Sequence, residues 1–242
     1  DGAEGLDVDP VGHADAQPAL RTWLTRGGAL TRAFAVKGLG ALKDQGSRAA
    51  IEMLAAEDVE LTLSLRKSDE LDAPPSNARV LEGDVLDGES LGEALEGQDV
   101  VYANLAGDLD KQAERIVESM ADAHVERLIF ITSLGIYDEV PGEFGDWNRE
   151  QIGSQLGPYR AAADTIEASA LDYTILRPAW LTDANEVDYE VTKRGEAFKG
   201  TEVSRKSVAA LVVDIVSTPD LWSRSNLGVN KPGTDGDKPA FA

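Results

Sequence analysis

Three glycines, Gly38, Gly40 and Gly46, stand between a short apolar run and a stretch that places Ala50, Met53 and Leu54 on one helical face. Glycines between a strand and a helix let backbone amides and the positive end of the helix approach a phosphate. Lys43 lies inside the same turn, where a side chain can crowd that approach or offer an ammonium to the anion, while Asp44 beside it would repel one. An ordinary strand-to-helix loop carries glycines too, so the turn alone leaves both readings open. The next apolar segment ends on Arg66 and Lys67, about 20 residues after Gly46, where a dinucleotide fold discriminates its ribose. An acid there favours the bare 2′-hydroxyl, whereas an Arg admits a 2′-phosphate. Ser133, Tyr137 and Tyr159 supply hydroxyls able to hold or protonate an oxygen. The chain has no cysteine and only His13 and His124, which excludes disulfides, thiolate zinc sites and a cysteine nucleophile. No metal is expected.

These residues need a scaffold, and the apolar pattern describes one. Strands are expected over 33–37, 59–65, 79–81, 100–105, 128–132, 171–176 and 227–229. Between them come a helix after Gly46, a short helix over 89–95 and a helix whose stripe is Ala113, Ile116, Val117 and Met120. A further helix is expected over 158–169, with Pro158 in its first turn, where a missing amide hydrogen does no harm. Val208, Leu211, Val212 and Ile215 mark the last one. This alternation builds an α/β, doubly wound, Rossmann-type parallel sheet with helices on both faces, as a single domain over 31–242. Residues 1–30 read as an acidic appendage with at most a short helix near 19–24, and the polar stretch 183–201 reads as an irregular substrate-covering segment.

With 242 residues, 42% of them hydrophobic, the chain can bury a sizeable core. Its formal net charge of -21 repels phosphate backbones, so no nucleic acid is expected as a partner. The apolar runs fall far short of the roughly 20 residues a membrane helix needs, so no membrane is expected either, and a soluble cytoplasmic protein follows by default. A small-molecule substrate is the expected partner, with monomer and homodimer both open.

Several strand ends carry a family resemblance. Gly40-Ala41-Leu42-Lys43-Asp44-Gln45-Gly46 resembles the Gly-Ala-Thr-Gly-x-x-Gly turn of atypical short-chain dehydrogenases/reductases, with Lys43 in place of the middle glycine. The segment from Val80 to Asp87 resembles the family's Gly-Asp-(Val/Leu) stretch, and Asp84 and Val85 match the positions that flank the adenine. Asn104-Leu105-Ala106-Gly107 is similar to the Asn-Ala-Gly ending of strand four, where small residues let a cofactor lie against the sheet. Ser133 stands where the family places its active-site serine, and Leu176-Arg177-Pro178 resembles the Leu-Arg-Pro that closes strand six. NmrA-like and biliverdin-reductase-B-like proteins look most similar.

The resemblance implies an NAD(P)-dependent oxidoreductase, with NADP favoured by Arg66 and NAD possible. In such enzymes a tyrosine serves as acid or base, a serine holds the substrate oxygen, and a lysine four residues after the tyrosine lowers its pKa. Tyr159 is the candidate tyrosine, but Ala163 stands four residues later, and Tyr137 is an alternative donor. Two other readings follow from these departures: a non-catalytic NAD(P)-binding redox sensor, and an assembly protein that keeps only the fold.

Overall fold

Alternation along the strands decides which face each side chain covers. In the computed structural model, which describes residues 31–37, 45–57, 59–66 and 74–242, this alternation divides the core in two. Val100, Tyr102, Ile129 and Ile131 belong to one apolar cluster, while their neighbours Val101, Ala103, Leu128 and Phe130 belong to the other. Of 31–37 and 45–47 only the backbone is described.

The elements run β1 (Thr31–Lys37), α1 (Gln45–Ala55), β2 (Val59–Leu65), β3 (Ala78–Glu82), α2 (Gly88–Leu95), β4 (Val100–Asn104), α3 (Leu109–Asp122) and β5 (Arg127–Ile131). They continue with α4 (Gly142–Ala168), β6 (Asp172–Pro178), β7 (Trp180–Thr182), β8 (Glu190–Lys193), β9 (Glu202–Ser204), α5 (Arg205–Ser217) and β10 (Ser225–Asn230). The main sheet has the order β3-β2-β1-β4-β5-β6-β10-β8, and β7 and β9 form a separate parallel pair. From β3 to β10 every pairing is parallel, with Ala35 beside Tyr102, Tyr102 beside Ile129 and Ile129 beside Thr174. Helices α1 and α5 pack together on the first cluster, and α2, α3 and α4 cover the second. This is the doubly wound Rossmann-type α/β fold read from the sequence.

Two expectations need correction. Pro158 does not open a helix: α4 begins at Gly142 and contains the proline in its interior. Buried Phe144, Gly145 and Asn148 anchor the N-terminal half of α4, and this packing carries the helix through a residue that ordinarily breaks it. Ser154, whose carbonyl loses its partner, and Pro158 are both exposed, so water can reach the unpaired group. Residues 183–201 are not wholly irregular either. They contain β8, which pairs antiparallel with β10, placing Val191 beside Val229. An edge strand buries one face only, and here Val191 packs against the first cluster, with Tyr189 before the strand and buried Phe198 after it, in a segment whose composition is polar.

The expected appendage 1–30 lies outside the described residues. Among the described residues no helix is long and apolar enough to cross a membrane.

Candidate functional site

Strand order reverses between β1 and β4, the switch point at which open α/β sheets bind ligands beyond the carboxyl ends of their strands. A cleft of about 540 Å³ opens at the ends of β4, β5 and β6. Asn104 and Ala106 enter it from β4, Thr132, Ser133 and Leu134 from β5, and Pro178 and Ala179 from β6. Helix α4 adds Ile152, Gln155 and Tyr159, spaced three and four residues apart on one helical face. Trp180 closes another side, its indole N–H donating to Asn148 Oδ1 at 2.9 Å and its ring 4.8 Å from that of Trp147. The structure thus brings Asn104, Ala106, Ser133, Tyr159 and Pro178 into one cavity of the size usual for small-molecule sites.

The loop bearing Ser133 is held from beneath. Thr132 donates its backbone N–H to Leu176 O at 2.8 Å, and Leu134 N–H donates to Pro178 O at 3.3 Å, stitching the serine between two strand ends. Glu139 receives the amides of Gly135 at 3.0 Å and Tyr137 at 2.9 Å. Its carboxylate is paired with Arg177, and the two side chains are 5% and 1% exposed. Arg177 Nε donates to Asn226 Oδ1 at 2.8 Å, and Asn226 Nδ2 donates to the Tyr137 hydroxyl and to Glu167, both at 2.9 Å. Gly135 adopts φ +86, a left-handed conformation that favours glycine, which lets the loop fold back over Glu139. Glu139, Asn226, Trp180 and Gln155 were not singled out in the sequence. The one available signal was Arg177, a charge inside an apolar strand, which calls for a buried partner.

Tyr137 is not among the residues lining the cleft. Its ring packs under the guanidinium groups of Arg194 at 4.4 Å and Arg160 at 4.5 Å, and its hydroxyl donates to Glu167 at 3.3 Å. Burial, reinforced by Glu167, pushes its phenol up to about 12. Arg160 also binds Asp164 at 2.8 Å, and Ala163, where a lysine would accompany Tyr159, is fully buried.

The remaining candidates lie away from this cavity. Arg66 and Asp84 follow β2 and β3 and face each other at 3.4 Å, both exposed, and Asp84 Oδ1 accepts the Leu86 amide at 3.0 Å. Val85 is buried beside them. Gly107, just past Ala106, has φ +97 with nothing within 4 Å of an added Cβ, so backbone geometry, not crowding, asks for glycine there. Gly46 is the second residue of α1. Gly38, Gly40, Ala41, Lys43 and Lys67 lie outside the described residues. Small residues follow β4, hydroxyls follow β5 and a cation follows β2, all at the carboxyl ends of strands near the switch point.

Comparison with known proteins agrees. The sequence profile of the NAD(P)H-binding family matches residues 40–219. A Rossmann-fold NAD(P)-binding family protein from Shigella flexneri is 46% identical, with 88% of this chain and 100% of that one covered and a TM-score of 0.74. A short-chain dehydrogenase/reductase from Veillonella parvula, solved in complex with NADP, is 26% identical over 88% of this chain and all of its own, with a TM-score of 0.77. ChuY of Escherichia coli, described as an anaerobilin reductase, shares the fold at 20% identity, with coverages of 84% and 99% and a TM-score of 0.69. No curated protein matches. With strand order, cleft and sequence in agreement, the chain belongs to the NAD(P)H-binding family, in the atypical short-chain dehydrogenase/reductase group.

Proposed function

We propose that the chain is an NADP(H)-dependent oxidoreductase acting on a small carbonyl, quinone or flavin-like substrate. The observation that carries this reading is the convergence of Asn104, Ala106, Ser133, Pro178 and Tyr159 on one cleft at the switch point. The NADP complex of the Veillonella relative supports the cofactor. Gly38, Gly40, Ala41, Lys43 and Gly46 would hold the diphosphate at the start of α1, Arg66 and Lys67 the 2′-phosphate, and Asp84 and Val85 the adenine. Asn104, Ala106, Gly107, Ser133 and Pro178 would line the path of the nicotinamide half. The cofactor supplies the hydride; the protein positions the reactants and keeps water out.

Within the cleft, Ser133 would hold the substrate oxygen and Tyr159 would donate a proton to it. Fluorescence titration with NADPH tests the reading, and failure to bind at millimolar cofactor would remove it.

A second reading, an NAD(P)-binding redox sensor without turnover, draws on buried Ala163 and on Arg160 being engaged by Asp164 and Tyr137. Such a protein binds NADPH yet consumes none with quinones, flavins, aldehydes or ketones, so hydride consumption on any of them excludes it.

A further inference from the structure

Among the described residues lining the cleft, Arg205 is the one with a formal charge, in a chain whose net charge is -21. It opens α5 and stands where the main cleft meets a neighbouring hollow of about 330 Å³ formed by α1 and the segment after β7. Its Nη1 donates to Asp183 Oδ1 at 2.8 Å, a partner whose side chain is 62% exposed, while its own is 26% exposed. Its Nε is buried and has no hydrogen-bond partner among the described residues. A guanidinium presents its donors in a planar fork matched to carboxylate or phosphate oxygens, and among the described residues one solvated carboxylate on Nη1 is its side-chain partner. The wall also offers apolar and aromatic surface from Trp180, Leu181, Val208 and Phe241.

We propose that Arg205 is the oxyanion-recognising residue of the cleft, with Asp183 holding its guanidinium in place until a ligand oxyanion arrives. The ligand oxyanion has two sources, the carboxylate of an aromatic substrate or the diphosphate of the cofactor. The inference deepens the oxidoreductase reading and rests on it for the second source alone.

The test uses the full chain and three variants, Arg205→Gln, Arg205→Lys and Asp183→Asn, with unfolding curves to show that each is folded. The probes are NADPH, adenosine 2′-monophosphate, 1-naphthoate and its uncharged analogue 1-naphthamide. If the oxyanion comes from the substrate, the wild type prefers naphthoate to naphthamide, Arg205→Gln abolishes that preference, and NADPH affinity is unchanged. If it comes from the cofactor, Arg205→Gln weakens NADPH about tenfold or more and leaves adenosine 2′-monophosphate unchanged. In either case Arg205→Lys recovers part of the loss, and Asp183→Asn holds or tightens the affinity because a competing carboxylate is gone. Equal weakening in Arg205→Gln and Asp183→Asn would mark the pair as structural and overturn the proposal. So would an Arg205→Gln variant in which no probe changes. A wild type that prefers naphthoate but ignores NADPH sinks the cofactor assignment and leaves Arg205 standing.

Discussion

Arg66 and Asp84 show how little a contact can say about a role. Their 3.4 Å pair is exposed on both sides, with 42% and 38% of the side chains open to solvent. Such pairs contribute about 0–1 kcal/mol, so replacing Arg66 should hardly move stability. Arg66→Glu should instead shift the preference between NADPH and NADH toward NADH by about tenfold or more, read from paired titrations, because a carboxylate repels the 2′-phosphate that a guanidinium would bind. An unchanged ratio would take Arg66 out of the site. Tyr137 is the opposite case, a residue whose contacts do define its role. Its phenol, raised from the ordinary 10 to about 12 by burial, favours the neutral form in the folded state. That contribution is complete below pH 10 and is lost as pH rises toward 12. The melting temperature should therefore fall across this window, and Tyr137→Phe should flatten part of the fall. An identical alkaline profile in the variant would refute the assignment.

At the level of elements, the loop between β5 and α4 depends on a charge buried in β6. Arg177 and Glu139 are almost wholly inside, and the pair also ties in Asn226 of β10. Removing one partner strands the other, which costs about 3–5 kcal/mol, whereas removing both costs less than the sum. Urea unfolding of Arg177→Met, Glu139→Gln and the double variant should show that non-additivity. Strict additivity would mean that the two side chains act independently. The Leu-Arg-Pro signature was visible in the sequence, but its partners were not, because Glu139 and Asn226 lie 38 and 49 positions away and meet Arg177 only when the loop after β5 and the start of β10 come together beside β6. Likewise the stripe on α3 was legible from spacing alone, whereas the length of α4 was not: the signal at Pro158 is local, and the burial of Phe144 and Asn148 that overrides it is not.

Over the whole molecule, acidic residues outnumber basic ones by 44 to 23. Self-repulsion of this kind destabilises the folded state and is screened as the Debye length shrinks from about 10 Å at 0.1 M salt to 3 Å at 1 M. Unfolding in a salt series should show stability rising steadily toward 1 M sodium chloride. A flat response would mean that ion pairs at the surface already balance the charge.

Period and punctuation along the chain determined the alternation of strands and helices and the parallel, doubly wound class, since the facing of side chains at two and 3.6 residues per repeat is a local property. The order of motifs at the strand ends likewise marked Asn104, Ser133 and Pro178 before any coordinates. Tertiary structure alone decided that these residues share a cleft with Tyr159 and Arg205, that Tyr137 turns away into a cage of guanidinium groups, and that β8 closes the sheet antiparallel. Each of those outcomes depends on contacts between segments far apart in the chain, whose free energy exists only once the layers have packed.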